Sequence, residues 1–68
     1  MYKLKKVYLF FDAYNLTCPK LFLSNSVTHD TLIMEGETRK AFLSIMTNDK
    51  DAQEYFEVFK EYDFFDEL

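Results

Sequence analysis

Apolar positions come first in an unbroken burst. Val7-Tyr8-Leu9-Phe10-Phe11 is β-branched and aromatic throughout, the mix that packs well on a pleated, half-buried surface. Both alternating sets are apolar, so the run predicts a strand over residues 4–13 that is central or covered on both faces. Asn15-Leu16-Thr17-Cys18-Pro19 ends it, because Pro has no N–H to give to a central ladder. Lys20 to Ser24 reads as a second, short strand, and the turn formers from Ser24 to Asp30 close it. Residues 31–35 form a third. Glu35-Gly36-Glu37-Thr38 reads as a turn holding the chain's single glycine, the residue that takes positive φ most easily. In residues 40–47, Ala41, Leu43 and Ile45 alternate with Phe42, Ser44 and Met46. That predicts a fourth strand, although residues 38–46 also fit a short helix.

The period then changes. Ala52, Tyr55, Phe56, Phe59 and Tyr62 fall at i, i+3, i+4, i+7 and i+10, one apolar stripe on a helix. Asn48 or Asp49 can cap its start with a side-chain acceptor, and Asp49 and Asp51 suit the positive end of the helix dipole. One more turn would put Asp63 in the middle of the stripe, where an unpaired charge is costly. The pattern therefore predicts a helix over residues 49–62 and an acidic-aromatic tail over residues 63–68. The expected fold class is α+β: one domain over residues 1–68, a small antiparallel β-meander of three or four strands with one C-terminal helix packed on the sheet.

Composition narrows the chemistry. A 68-residue chain buries only about 60% of the surface it exposes when unfolded, so small domains often add a staple. One cysteine excludes an intrachain disulfide framework. One Cys and one His leave a tetrahedral zinc site short of ligands. Eight Phe and five Tyr supply large apolar area instead. The opening MYKLKKVYLFF is basic and then apolar, but Asp12 breaks the run short of the roughly 7–15 residues of a signal peptide. A cytoplasmic location is expected. The Asn15-Leu16-Thr17 sequon and the retention-like Phe65-Asp66-Glu67-Leu68 ending have meaning only on a secretory route.

Charge is divided unevenly. Residues 1–47 carry six basic and four acidic groups, whereas residues 48–68 carry two basic and eight acidic. Glu54, Glu57 and Glu61 fall on the helix face opposite the apolar stripe, and Asp63, Asp66 and Glu67 continue the negative surface. Such a face is either simply solvated or shaped to dock on a basic groove, where spaced carboxylates stand in for phosphates. Direct nucleic-acid binding is disfavoured at a pI near 4.7. Phe64 and Phe65 have two candidate roles. They can anchor in a partner's pocket, or fold back and close the core.

Val7 to Leu16 resembles the first strand of the NYN/PIN-like nucleases, where an apolar strand ends in a metal-binding Asp followed by an Asn-Leu pair. The resemblance places Asp12 and Asn15 at those positions. It covers about ten residues, and metal-assisted phosphodiester cleavage needs further clustered carboxylates on a larger βαβ domain that this chain lacks. The simpler reading is that Asp12 ends a strand and Asn15 opens a turn. Gln53 to Phe59 loosely resembles sliding-clamp-binding peptides, without their paired terminal aromatics. His29 beside Asp30 has no nucleophile with a supporting motif. Cys18 has only Lys20 nearby to lower its pKa. Asp49-Lys50-Asp51 lacks the glycine and spacing of a calcium loop.

These readings converge on a binding protein, with no catalytic, cofactor or metal residues expected. The leading expectation is a small acidic inhibitor, phage or mobile-element encoded, that blocks the basic surface of a nucleic-acid-handling host protein. Anti-CRISPR proteins and inhibitors of polymerase, clamp or restriction enzymes exemplify that class. The candidate partner-binding residues are Glu54, Glu57, Glu61, Asp63, Phe64, Phe65, Asp66 and Glu67. An antitoxin or immunity protein against a basic toxin, and a structural oligomerisation module, are the alternatives. Direct nucleic acid and membrane are not expected as partners, and a homodimer is left open.

Overall fold

A computed structural model describes residues 1–68. The order is β1 (Tyr2–Leu4), β2 (Tyr8–Ala13), β3 (Lys20–Asn25), β4 (Thr31–Glu35), α1 (Gly36–Thr47), α2 (Ala52–Phe59), a 3-10 turn (Lys60–Tyr62) and β5 (Phe65–Glu67). Strands β2, β3 and β4 form an antiparallel meander in that spatial order, while β1 and β5 pair antiparallel in a second, two-stranded sheet. The fold is α+β, as the patterning predicts, but the arrangement differs from one sheet with one C-terminal helix.

The region predicted as one strand over residues 4–13 is two strands joined by a turn at Lys5 to Val7. The Tyr8 N–H donates to the Lys5 carbonyl at 3.0 Å and closes that turn. Strand β2 is also neither central nor doubly covered. It lies at the edge of the meander, and Leu9 and Phe11 are 63% and 67% exposed.

Residues 40–47 are helical, not a fourth strand. Ala41, Phe42, Ser44 and Ile45 are buried, the i, i+1, i+3, i+4 set of a helix facing a core. Alternation could not decide the matter because both alternating faces carried apolar groups. Gly36 has φ +59°, as its position between polar residues predicts. Here it passes β4 straight into α1 instead of into another strand.

Asn48 ends α1 rather than capping the next helix. Its φ is 54°, a left-handed geometry Asn tolerates well, and its N–H reaches the Ile45 carbonyl at 3.1 Å. Asp49 serves the start of α2: one carboxylate oxygen accepts the Asp51 N–H at 2.9 Å and also the Ser44 hydroxyl.

Helix α2 stops at Phe59, and the 3-10 turn carries the chain to Tyr62 before Asp63 turns left-handed at φ 55°. Helical structure thus ends where the buried-charge argument placed it. The following segment is a strand, not a tail. Tyr2, Lys3 and Leu4 register against Glu67, Asp66 and Phe65.

The core is aromatic. Phe42 is fully buried, with ring centroids 6.1 Å from Phe59, 6.1 Å from Phe64 and 5.1 Å from Phe65. Leu21, Leu23 and Met34 supply the sheet's side of the same cluster. With alternate residues facing opposite ways, Leu21, Leu23 and Met34 define the inner face of the meander, and Leu9, Phe11, Phe22 and Ile33 lie on the outer one. The helices cover only the inner face.

Candidate binding surface

Glu54 and Glu57 stand on α2 and Glu61 on the turn that follows; all three are exposed. The apolar stripe on the other side of the helix explains this. Ala52 and Phe59 are buried and Tyr55 and Phe56 half-buried, so the intervening glutamates point to water. Tyr2 fixes the helix by stacking on Phe56 with ring centroids 4.4 Å apart. Val58 and Tyr62 are more exposed than a buried stripe requires, at 63% and 53%. They place apolar surface beside the acids.

The other members of the predicted set divide. Asp66 accepts a hydrogen bond from Lys5 Nζ at 2.7 Å, and Asp63 lies 3.7 Å from the same nitrogen. The hydrogen bond to Asp66 is the main reason the Lys5 ammonium is held above its ordinary pKa. Asp63 and Asp66 are therefore partly neutralised by the turn that leads out of β1. Glu67 is exposed at the end of β5. Among the three glutamates of the helix face, only Glu57 has a basic neighbour at contact range, Lys60 at 4.0 Å.

Phe64 and Phe65 leave the candidate set. They are 4% and 5% exposed, and a ring this deep in the core is not available to a partner's pocket. Phe64 meets Tyr8 edge-on at 5.2 Å and stacks on Tyr62 at 5.3 Å. The acidic segment holds two adjacent phenylalanines because they close the core over Phe42.

Asp12 is held by an arginine. Arg39 of α1 donates from Nε and Nη2 to the two carboxylate oxygens, both at 2.8 Å. This fork-on-fork geometry is the strong, directional form of an ion pair. It keeps the Arg39 guanidinium above its ordinary pKa, with the Asp12 hydrogen bonds as the first cause. No three His, Cys, Asp or Glu side chains converge anywhere in the chain, so Asp12 lacks the companions the nuclease resemblance requires.

His29 sits at φ 66° in a turn organised by Asn25, whose side-chain oxygen accepts the Val27 and Thr28 N–H groups at 2.8 and 3.0 Å. Cys18 is exposed in the β2–β3 loop. The clamp-like segment lies on α2 with Phe59 in the core. A depression of about 580 Å³ runs beside α1 between Lys40 and Asp49. It is open and mixed in charge. No helix is long and apolar enough to cross a membrane.

The outer face of the meander is the surface that sequence reasoning missed. Phe11, Phe22 and Ile33 are cross-strand neighbours in one row. Period-two alternation in Lys20, Phe22 and Ser24 against Leu21 and Leu23 carried the signal, since it separates one buried face from one open face. The apolar run in β2 concealed it.

Compared with known proteins, the chain matches no family model, no curated protein and no solved structure.

Proposed function

We propose that the chain is a small protein-binding inhibitor, phage or mobile-element encoded, that blocks the basic nucleic-acid-binding surface of a host protein. The observation that carries this reading is the row Glu54, Glu57 and Glu61, all exposed on one side of α2 and the turn after it. Glu67 extends the same charge sign. Fixed carboxylates on a rigid helix compete for the lysines and arginines that otherwise neutralise phosphates. Their summed field also speeds encounter with a basic partner and penalises acidic ones. Val58 and Tyr62 add exposed apolar surface next to the acids, which supplies contact area that charge alone does not.

The test is affinity capture from bacterial lysate at low and high salt, with bound proteins identified by mass spectrometry. The wild-type chain should retain one basic nucleic-acid-binding partner and release it as salt rises. A variant with Glu57→Lys and Glu61→Lys should fold normally and retain nothing. An unchanged partner on that variant, or no partner on the wild type, would overturn the reading.

A further inference from the structure

The outer face of the β2–β3–β4 sheet is apolar and open. Leu9, Phe11 and Ile33 are 63%, 67% and 60% exposed, with Phe22 half-buried between them. A large side chain offers ~150–250 Å², so the four together leave about 400 Å² open, within the range of the largest patches on monomers, which are often functional.

The polar groups on this face are already paired. Ser24 and Thr31 share a hydroxyl hydrogen bond of 3.0 Å at one end. Lys20 and Glu35 face each other at 4.0 Å at the other. No further charge lies on the outward positions of the three strands. The hydroxyl pair stays satisfied when this face is covered, and Lys20 and Glu35, 40% and 62% exposed at the end of their strands, keep their water at the rim, so neither charge needs to be buried.

We infer that this face is a homodimer interface, on which a second copy of the chain packs sheet to sheet. Three features select that occupant. The chain carries net charge −4, yet this face has none in excess, so two copies meet here without placing like charges in contact. The open apolar patch of about 400 Å² forms the centre of a contact, about half of the ~800 Å² that each partner of a standard interface covers. Its helices also form a layer on only one side of the sheet, and a small domain gains most from a second layer supplied in trans.

A two-fold axis along the Phe11–Phe22–Ile33 row seats each of these side chains against its counterpart in the other copy. It lays the Lys20–Glu35 end of one sheet over the Ser24–Thr31 end of the other, so Lys20 does not meet Lys20. The sheets then stack about 10 Å apart as a β-sandwich. The two acidic helix layers face outward in opposite directions.

The test is sedimentation equilibrium of the wild-type chain at about 100 μM, well above the micromolar Kd at the weak end for interfaces of this class, with reductant present because Cys18 is exposed. The expected mass is twice the 8.2 kDa of the chain. Phe11→Lys and Ile33→Lys, both on exposed positions, should each halve the observed mass with an unchanged far-UV spectrum. Ile33→Thr keeps a β-branched side chain and should shift the equilibrium the same way, should either lysine variant fold poorly. The Glu57→Lys, Glu61→Lys variant should stay dimeric, which separates this interface from the proposed partner surface. A monomeric wild type, or a dimer that folded Phe11 and Ile33 variants leave intact, would overturn the inference.

Discussion

Arg39 grips Asp12 across 27 residues of sequence with two parallel hydrogen bonds of 2.8 Å. Strand β2 is at the sheet edge, so this pair is its main polar tie to the helix layer. Asp12→Ala and Arg39→Ala should each lower the melting temperature. The double variant should cost less than the two single losses combined, because residues in direct contact couple. A double-mutant cycle by thermal denaturation checks this; strict additivity would show that the pair adds no stability.

Phe64→Ala separates the two roles considered for the aromatic ending. As a core ring in contact with Phe42, Phe59, Tyr8 and Tyr62, its truncation should cost about 3–5 kcal/mol. Urea denaturation would measure it. Glu57→Lys, on an exposed position, should move stability by less than about 0.5 kcal/mol. Equal stability of the Phe64 variant and the wild type would return that ring to the surface.

How far the sequence reveals this fold is plain from Phe42 and Asp63. Asp63 was readable: a carboxylate on the axis of an apolar stripe marks a helical end, and the helical segment does end there. Phe42 was not, because residues 41–46 satisfy period two and the helical period alike. What decides between them is non-local. Phe42 meets Phe64 and Phe65, more than twenty residues on, and no local pattern encodes that meeting. The pairing of β1 with β5 joins the two extremes of the sequence and was invisible for the same reason. Of the candidate surface, Glu54, Glu57 and Glu61 followed directly from the apolar stripe opposite them. The outer sheet face did not, because a strand apolar on both sides looks like a central one.

Acid should weaken the fold partly through Asp49. Its carboxyl lies below the ordinary carboxylate value, first because the Ser44 hydroxyl donates to it and then because the Asp51 N–H does. A carboxyl whose folded pKa is depressed stabilises the fold above its unfolded pKa, and that contribution disappears as pH falls through the folded value. Asp49→Asn should therefore lower stability at neutral pH and flatten the decline below about pH 4. Chemical denaturation at a series of pH values gives both curves. Identical slopes for variant and wild type would remove Asp49 from the acid response.

Gly36→Ala should destabilise without a clash. A Cβ at this position meets nothing within 4 Å, but φ is +59°. The cost is that of left-handed backbone, about 1–2 kcal/mol. Gly36→Asn should lose less, since Asn visits that region more easily. Equal stability of all three chains would mean that the β4–α1 junction relaxes to negative φ.

The chain closes on itself. The Leu68 N–H donates to the Met1 carbonyl at 2.8 Å, one rung beyond the β1–β5 ladder. Residues 68 and 1 are thus hydrogen-bonded neighbours. In a 68-residue polypeptide, a bridge of a few residues should join them with little distortion, and the opening can be placed in the exposed β2–β3 loop at residues 14–18, where backbone changes are best tolerated. Such a permuted molecule would begin with β3 and β4, end with β2, and carry β5, β1 and the acidic helix in its interior. The acidic helix face could then be fused or displayed without a chain end beside it.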